Sequence, residues 1–359
     1  MSVPKIHRLL EMVKESGGSD LHISSGMTPK IRVHGRLRPV RQEPYTSDEV
    51  EDLLLEVVDE RRRNILFDRN DLDWAYALPG IGRFRANYFR QQHGMSGVFR
   101  LIPEEIKPVD DLGVPKHVER FCEMRNGLIL CTGPTGSGKS TTLAALIDYI
   151  NRKYSRHIVT IEEPIEFVHK NKNCTITQRE VGVDSESFAR ALRSVSRQDP
   201  DVILVGELRD LETIGLAITA AEMGYLVFAT LHTNSAAKTI DRIIDVFPED
   251  RQAQVRTMLS SSLKGIIAQL LIPKKDGKGR AVVNELLFPT VSLPNIIREG
   301  SIHKIVSLIE GGRGMGMQLM DDSILQRFKE GAISAENAYR WASEKKRFAP
   351  LLERAKAKK

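Results

Sequence analysis

The spacing of apolar residues divides the chain into two stretches of different rhythm. In the first hundred residues, apolar positions at Ile6, Leu9, Leu10, Met12 and Val13 fit one face of a short helix over 5–16, stopped by Gly17 and Gly18. Residues 20–24 and 30–34 alternate apolar and polar, as half-buried strands do, and Gly35 turns the chain into Arg36 and Leu37. Thr46, Ser47 and Asp48 can cap a helix over 49–58. Strand patterns follow at 72–78, 82–90 and 96–102. Strands mixed with few helices predict a small α+β domain over 1–103. The proline-containing segment 104–115 then reads as a linker and a place for a hinge.

Further along, short apolar runs alternate with helical spacing. Residues 128–131, 157–161, 201–205, 226–229 and 281–288 are the predicted strands. That alternation predicts a doubly wound α/β core over 116–290. From 291 to 359 the pattern is helical, broken by the glycine-rich stretch 311–316, and no internal repeat is present.

Composition adds bounds. A length of 359 residues suits about two domains. No apolar run reaches the roughly 20 residues that span a bilayer, and the N-terminus lacks the apolar core of a secretory signal, so a cytoplasmic protein is expected. Three cysteines without a Cys-x-x-Cys pair predict neither a disulfide framework nor a zinc ribbon within one chain. The net charge of +6 sits largely in runs at 61–63, 274–275, 345–347 and 354–359. These read as solvated surface, with nucleic acid or an anionic membrane as the rival reading.

The chemistry is concentrated between the predicted strands. Gly133, Pro134, Thr135, Gly136, Ser137, Gly138, Lys139 and Ser140, followed by Thr141, form a phosphate loop between an apolar strand and a helix. Its backbone N–H groups would wrap a triphosphate, Lys139 would reach the β and γ phosphates, and Ser140 would hold Mg²⁺. Residues 201–207 are an apolar strand ending in Glu207, placed to orient Mg²⁺ directly or through water. Residues 161–166 carry Glu162, Glu163 and Glu166 around Pro164, a loop suited to polarising water, and spacing leaves open which glutamate is the base. Residues 229–235 end a strand in His232, Thr233 and Asn234. His232 either senses the γ phosphate or bonds the catalytic carboxylate. Arg83, Arg85, Arg90 and Arg100 are a basic surface face in a monomer. In a ring they would reach a neighbour's phosphates.

Four elements in this order, the loop at 133–140, the acidic segment 161–166, the strand ending at Glu207 and the His232 segment, resemble the secretion and pilus motor ATPases. Residues 19–22 with 31–36, and 295–299 with 316–321, resemble signatures of the pilus retraction branch, although 293–299 matches its motif imperfectly. The resemblance implies a PAS-like N-terminal domain, a RecA-like core, and a homohexameric ring that hydrolyses ATP with Mg²⁺ at sites between subunits. It assigns Glu166 as the base and puts Glu163 where an aspartate is common. Arg85 and Arg100 become phosphate contacts, and His232 heads the histidine segment. It implies a partner in the inner-membrane platform protein of the pilus machinery, peripheral attachment to that membrane, and retraction as the work done. Nucleic acid is not expected as a partner. An accessory retraction paralogue, a pilus-extension or type II secretion ATPase, a nucleic-acid motor with a RecA-like core and a non-hydrolysing nucleotide binder are the alternatives.

Overall fold

A computed structural model of the chain describes residues 4–33, 35–102 and 105–356. His34, Pro103, Glu104 and the C-terminal residues Ala357, Lys358 and Lys359, which belong to predicted segments, lie outside the described residues. The chain divides into two compact units. One holds the described residues of Met1–Glu105 with Glu163–Val168, and the other holds Ile106–Glu162 with His169–Lys359.

The first unit is built on a six-stranded antiparallel sheet. Its strands are β1 (Asp20–Ser24), β2 (Lys30–Val33), β3 (Arg36–Pro39), β4 (Asp71–Leu78), β5 (Gly82–Gln91) and β6 (Gly94–Ile102), in the order β3-β2-β1-β6-β5-β4. Its helices are α1 (Lys5–Glu15), α2 (Ser47–Leu55) and α3 (Glu60–Arg69). Along β5 every second residue is buried, as the pleat requires for a sheet with one covered face. Phe84, Tyr88 and Phe99 meet Ile6, Leu10 and Leu54 of the helices in one core. Thr46 caps α2 reciprocally with Glu49. The predicted start of that helix at 49 is therefore two residues late, and its end is Leu55 rather than 58. The helix α3 was not predicted, because charged residues cover most of its surface and only Leu66 is buried.

The second unit is a seven-stranded sheet. Its strands are β7 (Gly127–Thr132), β8 (His157–Glu162), β9 (Thr175–Glu180), β10 (Val202–Val205), β11 (Leu226–Leu231), β12 (Leu263–Pro273) and β13 (Arg280–Leu287), in the order β13-β12-β7-β11-β10-β8-β9. All neighbours are parallel except β12 and β13. The helices are α4 (Arg120–Glu123), α5 (Lys139–Lys153), α6 (Phe188–Val195), α7 (Leu211–Glu222), α8 (Ala236–Asp245), α9 (Glu249–Ser262), α10 (Leu293–Arg298), α11 (Ile305–Gly311), α12 (Met320–Lys329), α13 (Ala335–Trp341) and α14 (Lys345–Lys356). The strands β7, β10 and β11 are buried throughout, as parallel strands covered on both faces must be. This is the mixed α/β core expected, with helices from α10 to the end. Val109 and Val114 are buried in this core, so much of the segment expected to be a linker packs as part of the second unit.

The strands β9 and β12 were not predicted. The sequence of β9 is a half-exposed edge rich in polar residues. The strand β12 starts at Leu263, directly after α9 ends at Ser262, with no turn residue to mark the change. It pairs with β7 as far as Ala268 opposite Thr132 and then runs on five residues to Pro273, beyond the end of β7. Ala268, Leu270 and Ile272 face Met320, Ile324 and Phe348 of the C-terminal helices, in a core of their own.

Gly265 is where β12 passes Phe121. A Cβ there would lie 2.0 Å from Phe121 Cε1, and Phe121 is stacked on Phe288 with ring centroids 4.6 Å apart. Gly265→Ala should therefore cost about 1–3 kcal/mol of stability by overpacking, measured by urea denaturation. An unchanged midpoint would show that Phe121 has room to move.

Candidate nucleotide site

Parallel pairing brings the carboxyl ends of β8, β10, β11 and β7 to one edge of the second sheet. Thr132 is level with Leu231, Ala229 with Val205, and Val205 with Ile161. The segments leaving this edge begin at Gly133, Glu163, Gly206 and His232. The crevice beyond the carboxyl ends of such strands is where α/β sheets hold ligands.

The loop at 133–140 is shaped by its glycines. Gly133 has φ 147° and Gly138 has φ 86°, left-handed conformations open to glycine. A Cβ on Gly133 would sit 2.2 Å from the Gln269 carbonyl oxygen, so the loop hugs the overhanging part of β12. Gly138 leads into α5, whose first turn has no side-chain cap and no acidic residue. Its N–H groups are therefore available to an anion. Lys139 Nζ donates to the carbonyls of Gly133 at 2.8 Å and Pro134 at 3.3 Å, across its own loop. The Ser137 hydroxyl is buried without a hydrogen-bond partner among the described residues. Uncapped amides, a folded-in ammonium and a cradle that a Cβ would fill all fit the phosphates of a nucleotide. Pro134, Thr135, Gly136 and Ser140 are exposed around this cradle, and Thr141 is half-buried.

Glu207 follows β10. Its carboxylate accepts from His232 Nε2 at 2.9 Å and from Arg209 Nε at 2.8 Å. Burial alone would push this carboxyl upward, but the hydrogen bond and charge of Arg209, with His232, hold it below the ordinary value. Glu207 is thus kept ionised, as a group facing Mg²⁺ or a bound water must be. The structure pairs His232 with Glu207. Arg209 was missed by sequence reasoning, although it stands two residues after Glu207 in the same loop. Arg280 was missed too. Its Nη1 donates to the Gly136 carbonyl at 2.9 Å.

Glu162 ends β8, and the next six residues group with the first unit. There Arg83 Nε donates to the Ile165 carbonyl at 3.0 Å, and Arg85 Nη1 lies 3.7 Å from Glu166 Oε1. Arg85 is held more closely by Asp73, at 2.6 Å. Glu163 is exposed in the same loop, joined to Pro164 by a cis peptide. Arg100 donates to Asp20 Oδ1 at 2.8 Å. Both arginines expected to contact phosphates are thus engaged by carboxylates of their own unit.

The Type II/IV secretion system protein family matches residues 2–340. The chain belongs to this family. Over 333 residues it is 47% identical to the type IV pilus retraction ATPase PilT of Pseudomonas aeruginosa, covering 93% of this chain and 96% of that protein. It is 40% identical to the type IV pilus ATPase PilU of the same organism, over 93% of this chain and 87% of that protein. A crystal structure of the pilus retraction motor PilT with bound ADP superposes with a TM-score of 0.86 at 45% identity, covering 94% of this chain and 98% of that one. The mixed α/β architecture is thus that of a pilus motor ATPase. Among the described residues, no helix is long and apolar enough to cross a membrane.

The Asp20 and Arg100 pair yields a pH prediction. Burial raises the Asp20 carboxyl, while hydrogen bonds from Arg100 and Ser19 and the Arg100 charge outweigh it and lower it. A depressed carboxyl contributes stability above the unfolded value of about 3.9, lost as pH falls through the folded value. Arg100→Gln should remove about 1 kcal/mol at pH 7, discounted because the guanidinium is largely exposed. The deficit should close below about pH 3.9, read by thermal unfolding from pH 7 to 3. A pH-independent deficit would contradict the pairing as its source.

Proposed function

We propose that this chain is a Mg²⁺-dependent ATPase motor that powers retraction of a type IV pilus. One observation carries the reading: a complete phosphate loop, with uncapped helix amides and Lys139 in its cradle, stands at the carboxyl edge of a parallel sheet. This occurs in a chain similar over nearly its whole length to a retraction ATPase. The nucleotide is ATP. Gly133, Pro134, Thr135, Gly136, Ser137 and Gly138 line its phosphates with backbone, and Thr141 flanks them in the first turn of α5. Lys139 exchanges its two carbonyl contacts for β and γ oxygens. Ser140 and Glu207 hold Mg²⁺, which supplies charge neutralisation at the transferring phosphoryl group.

Glu166 serves as the base that takes the proton of the attacking water, with Glu163 beside it in the same loop. Its contact with Arg85, at 3.7 Å, is loose enough to be exchanged. His232 orients Glu207 through its Nε2. Arg85 and Arg100 stabilise phosphate charge once they exchange their present carboxylate partners, in a homohexamer whose sites are shared by neighbouring subunits. The motor works at the cytoplasmic face of the inner membrane, on the platform protein of the pilus machinery. The greater likeness to PilT than to PilU favours the principal motor over the accessory paralogue.

Lys139→Ala should abolish nucleotide binding, and wild-type affinity in that variant would count against the phosphate loop. Glu166→Gln should bind nucleotide normally and lose turnover by about 100-fold or more, in a Mg²⁺-ATPase assay run with mass measurement of the assembly. Near-normal turnover would remove Glu166 as the base. In a host lacking its own retraction motor, the wild-type gene should restore twitching and the Lys139→Ala gene should not.

A further inference from the structure

Gln269 is the one amide on an otherwise apolar inward face. Strand alternation sets Ile267, Gln269 and Leu271 on the opposite side of β12 from Ala268, Leu270 and Ile272. Its side chain is 1% exposed, directly beneath the phosphate loop. Gln269 Nε2 donates to the Ser137 carbonyl at 2.7 Å. Its Oε1 accepts from Thr142 Oγ1, in the first turns of α5, at 2.9 Å and from Asn284 Nδ2 at 3.1 Å. A carbonyl oxygen only accepts, so the Ser137 contact fixes which end of the amide is which. Asn284 faces Gln269 in register across β13. It is itself held through its backbone by Ser323 Oγ and Gln318 Nε2.

The loop therefore does not rest on glycine geometry alone. Gly133 abuts the Gln269 backbone, Gly138 lies over Leu271, and the Gln269 side chain ties loop and helix to the same strand. An unmade hydrogen bond at such a buried position is costly, so the tie holds the loop in one shape. We propose that Gln269 is a positioning residue for nucleotide binding, holding the Ser137 carbonyl inward so that the loop's N–H groups face the phosphates. Asn284 is the support that orients it. This rests on the reading of 133–140 as a phosphate loop.

Gln269→Glu tests it. A buried glutamate keeps an acceptor for Thr142 and Asn284, but its ionised second oxygen repels the Ser137 carbonyl. Protonated, that oxygen donates as the amide does, and burial favours protonation. Affinity for a fluorescent ADP analogue with Mg²⁺ is measured from pH 8 to pH 6 for the full chain, as the ratio of variant to wild type. The ratio of dissociation constants should be roughly 5- to 100-fold at pH 8, the loss of one buried hydrogen bond, and should fall toward one at pH 6. A weakening independent of pH overturns the role. A ratio of one throughout is decided by Gln269→Met, which can donate to the Ser137 carbonyl at no pH and must weaken binding by the same factor. Unchanged affinity in that variant overturns the role.

Lys139→Ala is run beside it. If Lys139→Ala also binds normally, the phosphate loop reading has failed. If only Lys139→Ala loses binding, the failure belongs to Gln269 alone. Should Gln269→Glu not fold, Asn284→Ala removes one of the two donors to Oε1. It is expected to weaken binding several-fold with thermal stability retained, and unchanged affinity overturns the proposal.

Discussion

The structure depends on a difference in length between two paired strands. The strand β7 ends at Thr132, but its parallel neighbour β12 continues to Pro273, kept in place by antiparallel pairing with β13. The chain leaving β7 thus has a floor to fold over. That floor supplies a backbone carbonyl against Gly133, an aliphatic contact under Gly138 and an amide beneath Ser137. Glycine is required where the loop touches down, because any Cβ at Gly133 meets the β12 backbone. The uncapped turn of α5 then stands over a rigid base, with its amides unsatisfied by side chains.

The same pairing carries the rest of the edge. Parallel register sets the end of β10 beside that of β11, so Glu207 and His232 meet although 25 residues separate them. Arg209 completes this cluster and keeps the carboxylate charged against the pull of burial. In the first unit, arginines on β5 hold the loop bearing Glu166, through a backbone carbonyl and a longer ionic contact. Arg85 divides itself between Asp73 at 2.6 Å and Glu166 at 3.7 Å, so release of the glutamate sacrifices the weaker of its contacts.

Much of this was legible in the sequence. The phosphate loop and the strands ending near Cys131, Ile161, Val205 and Ala229 announce themselves by apolar runs bounded by turn residues. What escaped was β12, the floor itself, because the strand begins directly after α9 and its apolar run over 266–272, broken only by Gln269, has no period that separates a strand from a buried helix. Gln269 went unseen with it, though a lone amide between Ile267 and Leu271 is the kind of residue a buried strand keeps only with partners. The charged helix α3 and the half-exposed strand β9 escaped because neither buries a regular stripe. Arg209 and Arg280 act through folded geometry, one by doubling back on Glu207 and the other from β13 onto Gly136.

The central claim is that the backbone of 133–140, braced by β12, is what grips the nucleotide phosphates. Hydrogen exchange of the amides of Gly136, Gly138, Lys139 and Ser140, with and without ADP and Mg²⁺, tests it most directly. The account predicts strong protection of these amides on nucleotide addition, with far smaller changes in the sheet of the first unit. Nucleotide binding that leaves the loop amides exchanging as fast as before would contradict it.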